Sequence, residues 1–316
     1  MLENETQTVV PKILPEEEVM KYITCYDAPP DNFDPYTAED KLLRKHGFPR
    51  RPDPDKEPHL RALWDRAFQS KPKYIKAKVS IDPIMSKRKR PVISPISNMS
   101  LDFKPSGWAG AVQPVNKYGF NPPEPIVTVY GEWFIPTITP TTNEPNTAET
   151  VGFWVGIDGY GNNQVLQAGS ACTITGKNPV YWVWTEWYPI GAIQINNFPV
   201  KPGDYLTCLV CAVTPTHGFC SMMNKTTNQI TSIGINNPAG ISSIGATAEW
   251  IVEGISDILP VFSTTVFHNN SAGTKNHKLN TQGATITEIT GNGGSNLTAA
   301  AVLSDGSVLV KWLKGS

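Results

Sequence analysis

Two glutamates four residues apart, Glu249 and Glu253, lie in the stretch TAEWIVEGISD, which has no lysine or arginine from Thr247 to Asp257. Most of it alternates as a β-strand does, and residues two apart on a strand share a face. Glu249, Ile251 and Glu253 then point one way, and Trp250 and Val252 the other. Three more stretches group side chains in the same manner. VGFWVGIDGYG puts Trp154, Gly156 and Asp158 on one face, QVLQAGS puts Val165, Gln167 and Gly169 together, and YWVWTEWYP does so for Trp182, Trp184 and Glu186. If these faces converge, they line one concave groove with tryptophan walls, several acids, an amide and few cations.

Such a groove has definite chemistry. Clustered carboxylates cannot all ionise cheaply, so at least one pKa rises. A glutamate poised in this way gives or takes a proton during attack on a carbonyl. A glutamine offers an amide N–H to a developing oxyanion and a C=O to orient water. Tryptophan walls exclude water and grip an extended polymer such as a peptide or glycan. Against this stands the ordinary reading, in which an alternating tryptophan is core and a lone Gln or Glu on a strand faces solvent.

The rest of the chain must position these groups. Its 316 residues suffice for a full hydrophobic core with a smaller appended unit. A net charge of -1 gives no electrostatic case for nucleic acid or an anionic membrane. There is no apolar run long enough for a spanning helix. A monomer is expected. The five cysteines make no complete disulfide framework, and the CxxC of Cys208 and Cys211 has no second pair to complete a zinc site. Buried strand cysteines, with no metal and no cofactor, are the expectation. His268 and His277 read as surface or turn residues.

Composition divides the chain. Residues 1–100 hold 18 Lys and Arg and 15 Asp and Glu, which leaves 9 and 13 of the totals of 27 and 28 for residues 101–316. The first third reads as helical pieces. Thr37 and Asp40 fit a capping box with Gly47 as the stop, and Leu60, Leu63, Trp64, Ala67 and Phe68 recur at helical spacing after Pro58. SKRKR at 86–90 marks a boundary, as a solvated linker and a possible cleavage site. The expected units are residues 1–90, a charged, Pro-rich, partly helical extension, and residues 91–316. In the second, short period-two segments such as WAGAVQ, IVTVYGEWFIP, DYLTCLVCAV and SVLVKWL, without strong helices between them, predict an all-β antiparallel sandwich or barrel.

WAG at 108–110, FWVGIDG at 153–159, VLQAG at 165–169, WTEWYP at 184–189, Gly203-Asp204 and AEWIVE at 248–253 occur in the order seen in the glutamic peptidases, or eqolisins, which the chain resembles over roughly residues 105–270. The resemblance implies a bent sandwich of two antiparallel sheets, like the concanavalin-type lectins and glucanases. It implies an acid-acting endopeptidase that cleaves polypeptides without a metal and resists pepstatin. Matched motif by motif, the catalytic pair falls on Gln167 and Glu249. Supporting acids fall on Asp158 and Glu186, with Glu253 a second acid in the strand of Glu249. Trp154 and Trp184 match tryptophans of the substrate cleft, as does Trp108 of the WAG segment. Glu249 and Glu253 share a face, so spacing alone does not separate them.

Two other functions fit the pattern. One is a non-catalytic sandwich that binds peptide or carbohydrate in the tryptophan groove. The other is a glycoside hydrolase, which would ordinarily need two carboxyl groups flanking one bond, whereas Gln167 is an amide. The family resemblance implies secretion, yet MLENETQTVVPKILPEEE lacks the basic flank and apolar block of a secretory signal. The first hundred residues lie outside the resemblance. They read either as a pro-segment bound to an acidic cleft and released as carboxylates protonate, or as a packed appendage that never leaves. The peptidase reading requires Gln167 and Glu249 to meet in an open trough within reach of one water; with either sealed from solvent, only a β-rich binding protein would be left.

Overall fold

The computed structural model describes residues 14–85, 107–121, 123–162, 164–237, 242–291 and 294–313. Its strands form two large sheets. One carries the sequence-predicted site. Its eight strands, from edge to edge, are β18 (Thr285–Thr287), β4 (Trp108–Pro114), β14 (Thr247–Gly254), β7 (Ala148–Ile157), β8 (Val165–Thr175), β9 (Asn178–Tyr188), β10 (Ala192–Ile195) and β3 (Val79–Ile81). Every pairing in it is antiparallel.

The second sheet runs β1 (Ile23–Cys25), β13 (Gln229–Asn236), β12 (His217–Asn224), β11 (Tyr205–Thr214), β5 (Thr128–Phe134), β16 (Thr265–Gly273), β20 (Val308–Trp312), β19 (Thr298–Val302). Off this path β2 (Lys73–Tyr74) pairs with β13, and β17 (Lys278–Leu279) with β16. A separate pair joins β6 (Ile138–Thr139) to β15 (Val261–Phe262). The expected sandwich is therefore the observed one.

Alternation explains the layers. Inward residues such as Phe153, Val155, Leu166, Trp187 and Trp250 meet Trp133, Cys208 and Met222 of the other sheet in the central core. Burying each such side chain contributes about 2 kcal/mol, so this layer dominates the stability. The outer face of the second sheet is covered as well. Helix α3 (Pro58–Phe68) lays Leu63, Trp64 and Phe68 on Tyr130, Leu209 and Phe219 there. The helical stripe predicted after Pro58 thus has its packing surface.

The first third of the chain is woven into both sheets, through β1 and β2 on β13 and β3 on β10. It also holds the short helices α1 (Glu16–Met20) and α2 (Asp40–Lys45). The capping box is not formed. Glu39, not Thr37, is the N-cap of α2, and the Thr37 hydroxyl turns back to the Asp34 carboxylate at 3.3 Å. The predicted stop holds, since Gly47 has φ +70°, a conformation that needs glycine. SKRKR lies outside the described residues. Among those described, no helix is long and apolar enough to cross a membrane.

Candidate active site

Strand register decides whether the four sequence-grouped faces converge, and they do. Glu249 pairs with Gly156, Gly156 with Gln167, and Gln167 with Glu186. These residues form one row across β14, β7, β8 and β9, on the face turned away from the central core. The next row on that face holds Ile251, Trp154, Gly169 and Trp184. The row beyond it holds Trp108, Glu253, Gly152, Ala171 and Trp182.

Gly156 sets the spacing within the first row. Two inter-strand steps put the Cα atoms of Glu249 and Gln167 roughly 10 Å apart. A Cβ on Gly156 would stand 3.0 Å from the Leu166 carbonyl oxygen and the Trp154 ring, and 3.1 Å from Gln167 Cβ. Glycine there keeps the space between the carboxyl and the amide clear.

The amide nitrogen of Gln167 donates to a carboxylate oxygen of Glu186. An amide nitrogen carries two hydrogens, so one remains for a ligand. The Gln167 carbonyl oxygen is buried without a hydrogen bond, as are both carboxyl oxygens of Glu249. Burial pushes the Glu249 carboxyl well above the usual carboxylate range. The Thr247 hydroxyl acts against that rise, the Asp158 charge adds to it, and the Tyr160 backbone opposes it. No cation is among these influences, so Glu249 is held in its neutral form.

Asp158 serves the row indirectly. It follows β7 directly, in the left-handed region with φ 70°. One carboxylate oxygen accepts from the Ser243 hydroxyl at 2.8 Å and from the N–H groups of Ile244 and Gly245 at 2.9 and 3.0 Å. The other accepts from the Ala246 N–H at 2.8 Å and from Asn162 at 3.3 Å. This carboxylate therefore pins the loop that leads into the strand of Glu249. Glu253 accepts the indole N–H of Trp154 at 2.9 Å. Trp108 meets Trp154 edge-on, with ring centroids 4.9 Å apart. Asp204 of the Gly203-Asp204 pair accepts from Lys201 and Asn224 in a turn of the other sheet, away from this row.

One expectation fails. The site is closed: Gln167 and Glu249 both have 0% exposure, so there is no open trough in this state and the peptidase reading stands only for an opened form of the site. An apolar tryptophan face is costly to hydrate, and the chain covers its own. Met85, at 0% exposure, sits in one cluster with Trp108, Trp154, Trp182 and Trp184, and Tyr160 packs against the same cluster. Sequence reasoning missed Met85 and Tyr160. Met85 lies in a 3-10 turn and Tyr160 in a bend, where no periodicity marks a side chain.

The CxxC pair cannot chelate from one strand. Cys208 faces the central core and Cys211 the outer cluster, as a spacing of three on a strand requires. His277 lies in a turn, stacked on Phe120 at 4.0 Å, whereas His268 belongs to β16. Among the described residues no cluster of His, Cys, Asp and Glu is arranged to hold a metal ion.

The fold is a sandwich of two large, mainly antiparallel sheets with a row of Glu, Gly, Gln and Glu on an outward face. The Peptidase A4 family matches residues 106–312, about two thirds of the chain, and the chain belongs to that family, the glutamic peptidases or eqolisins. Aspergillopepsin-2 of Aspergillus niger is 27% identical over 229 residues, which is 66% of this chain and 78% of that protein. Scytalidopepsin B of Scytalidium lignicola is 31% identical over 122 residues, 37% of this chain and 46% of that one. In fold, the chain matches the crystal structure of scytalido-glutamic peptidase with a transition state analog inhibitor. The TM-score is 0.55 at 23% identity, over 65% of this chain and 98% of that one. It also matches SCP-B, an eqolisin in complex with the tripeptide Ala-Ile-His, with TM-score 0.53 at 22% identity over the same shares.

Proposed function

We propose that the chain is an acid-acting endopeptidase that hydrolyses polypeptides with Glu249 as acid and base and Gln167 as its partner, a scheme that calls on no metal. The observation that carries this reading is the register row, with a carboxyl and an amide flanking a glycine gap. In the substrate-bound, hydrated site the carboxylate of Glu249 takes a proton from water. The water oxygen bonds to the scissile carbonyl carbon, and the C=O π pair moves onto oxygen. The spare N–H of Gln167 donates to that oxyanion. The intermediate then collapses with cleavage of the C–N bond, and the proton on Glu249 goes to the departing amine. Glu186 orients Gln167 through its hydrogen bond. Asp158 anchors the approach to β14, and Glu253 fixes the Trp154 indole beside the row. The tryptophans Trp108, Trp154 and Trp184 supply the apolar wall against which an extended peptide lies.

Water is part of this scheme, so the buried, neutral Glu249 is the resting state. Burial is the largest cause of its raised pKa, and hydration on opening lowers it toward the range in which it can act as a base. The residues after 100 carry only 13 acids and 9 bases, so acid removes few ion pairs and adds little self-repulsion.

The test is cleavage of a denatured protein from acid to neutral pH, with a chelator and pepstatin present. Activity is expected at acid pH, insensitive to both. Glu249→Gln is expected to lower it by about 10³-fold or more and Gln167→Ala by about 10²-fold or more, with melting curves still cooperative. Full cleavage by a folded Glu249→Gln protein refutes the assignment.

A further inference from the structure

A cavity of about 290 Å³ lies on the opposite side of the sandwich from the Glu249–Gln167 row, where α3 packs on the outer face of the second sheet. Its floor is apolar and buried: Leu63 and Trp64 of α3 meet Leu209 of β11 there. Its walls are Leu60, Val127 and Ala212, and Val213 stands 48% exposed at the rim. A break in strand register opens the space. β11 and β12 lose step between Ala212 and Thr214, so Val213 has no partner on β12. The walls are held in place. The Trp64 indole donates to the Pro49 carbonyl at 3.2 Å, and a His59 ring nitrogen donates to the Thr274 carbonyl at 3.0 Å. A Cβ on Gly273 would lie 2.7 Å from Leu60, so glycine there lets the helix approach. The cavity is therefore preformed, and its volume falls at the lower edge of the ~300–1,000 Å³ common for ligand sites.

Charge is placed at one end only. Arg50 and Lys275 line the cavity and both are exposed, whereas the floor beneath them is buried. Arg50 gives one N–H to Glu57 at 2.6 Å, which leaves others of its five for a ligand. Lys275, in the turn after β16, has no counter-ion among the described residues. Glu57 is the one carboxylate lining the cavity among those residues, so two cations stand against one anion. A dry apolar body with a cationic mouth fits a small acid that carries an apolar tail. The buried floor and the small volume leave no passage for a polymer. We propose that this cavity binds a medium-chain monocarboxylate, with its alkyl chain on Leu63, Trp64 and Leu209 and its carboxylate between Lys275 and Arg50. The site holds whether or not the peptidase reading does. Its ligand would touch both α3 and β11, so binding ties the first third of the chain to the second sheet and stabilises the fold by mass action.

The experiment uses the full chain at about pH 7, where small carboxylic acids are ionised, and titrates it calorimetrically with butanoate, hexanoate and octanoate. One saturable site is expected for octanoate. Each added methylene removes apolar surface from water, so affinity is expected to rise about fourfold per CH₂ along the series. Octanol, which has the same tail and no charge, is expected to bind about tenfold more weakly than octanoate. Lys275→Glu is expected to weaken octanoate about tenfold or more and to leave octanol unchanged, while Lys275→Arg binds octanoate as the parent does. Lys275 is exposed in a turn, so the fold is expected to survive; if circular dichroism shows Lys275→Glu unfolded, Lys275→Gln decides. The inference is overturned by the lack of a saturable site, by affinity independent of tail length, or by undiminished octanoate binding in the folded charge variant. Preference for N-acetylleucine over octanoate overturns it too, since the cavity would then belong to peptide C-termini.

Discussion

Replacing Glu249 by glutamine keeps shape and removes the titration, and its consequence for stability can be worked out. In the unfolded chain the carboxyl has its ordinary pKa of 4.5, and in the folded chain burial raises it well above that. Below pH 4.5 both states hold the proton, and the group contributes nothing to the pH dependence. As pH rises past 4.5 the unfolded chain releases the proton and the folded chain keeps it, so folding loses stability. The loss runs at about 1.4 kcal/mol for each pH unit and stops where the folded carboxyl finally ionises. Glu249→Gln has no such loss. Urea unfolding of both proteins from pH 4 to pH 7.5 should give a stability difference that is flat below pH 4.5 and then grows in favour of the variant at that slope, with a rise of a few degrees in relative Tm per pH unit. Glu124, whose folded pKa is held down to about 2 by Asn276, Thr274 and His277, acts in the opposite direction but is present in both proteins and cancels. A pH-independent difference would mean that Glu249 titrates normally and is hydrated. A difference growing in favour of the parent would mean that it is folded as a paired anion. Either result refutes the account of a buried carboxyl held without a cation.

Two further substitutions test how the row is built. Gly156→Ala puts a methyl group 3.0 Å from the Trp154 ring and the Leu166 carbonyl; it should cost about 1–3 kcal/mol in urea unfolding and lower kcat/KM by about 10²-fold by filling the gap. Asp158→Ala strips the acceptors from the N–H groups of Ile244, Gly245 and Ala246 and should cost about 3 kcal/mol or more. Asp158→Asn, which keeps an acceptor and tolerates the left-handed backbone, should cost distinctly less in the same measurement.

The site strands were legible because each is covered by a different material on its two faces. β14 reads Glu-Trp-Ile-Val-Glu with the core tryptophan Trp250 on one side and the two acids on the other, and that contrast is the period-two signal itself. β12 and β13 escaped sequence reading for the converse reason. Their faces are buried on both sides, by the central core and by the N-terminal helices, so HGFCSMMN shows no alternation to detect. The convergence of Gln167, Glu186 and Glu249 was foreseeable only as a possibility, since register is a long-range property. Asp158 was grouped with the row, yet its bonds go to a loop 85 to 88 residues away, which no local pattern announces. The closed state was beyond sequence altogether. Met85 joins the tryptophan cluster from an Asp-capped turn at a sheet edge, and Asp82 in IDPIM differs in no visible way from any other turn aspartate.

The two faces of the site sheet also explain how a buried carboxyl without a cation is tolerated. The neighbours of Glu249 on its own strand, Ala248 and Trp250, are locked in the central core, and the Trp250 indole donates to the Tyr130 carbonyl across the sandwich at 2.9 Å. The strand cannot rotate to bring Glu249 to water without pulling a tryptophan from that core, at a cost of several kcal/mol. Losing a proton, by contrast, is something the carboxyl can avoid at about 1.4 kcal/mol per pH unit. The cheaper response wins, so the side chain stays where the strand puts it and its protonation state adjusts. A site built in this way is preorganised by the hydrophobic core beneath it, and its readiness is then set by whether water reaches the row.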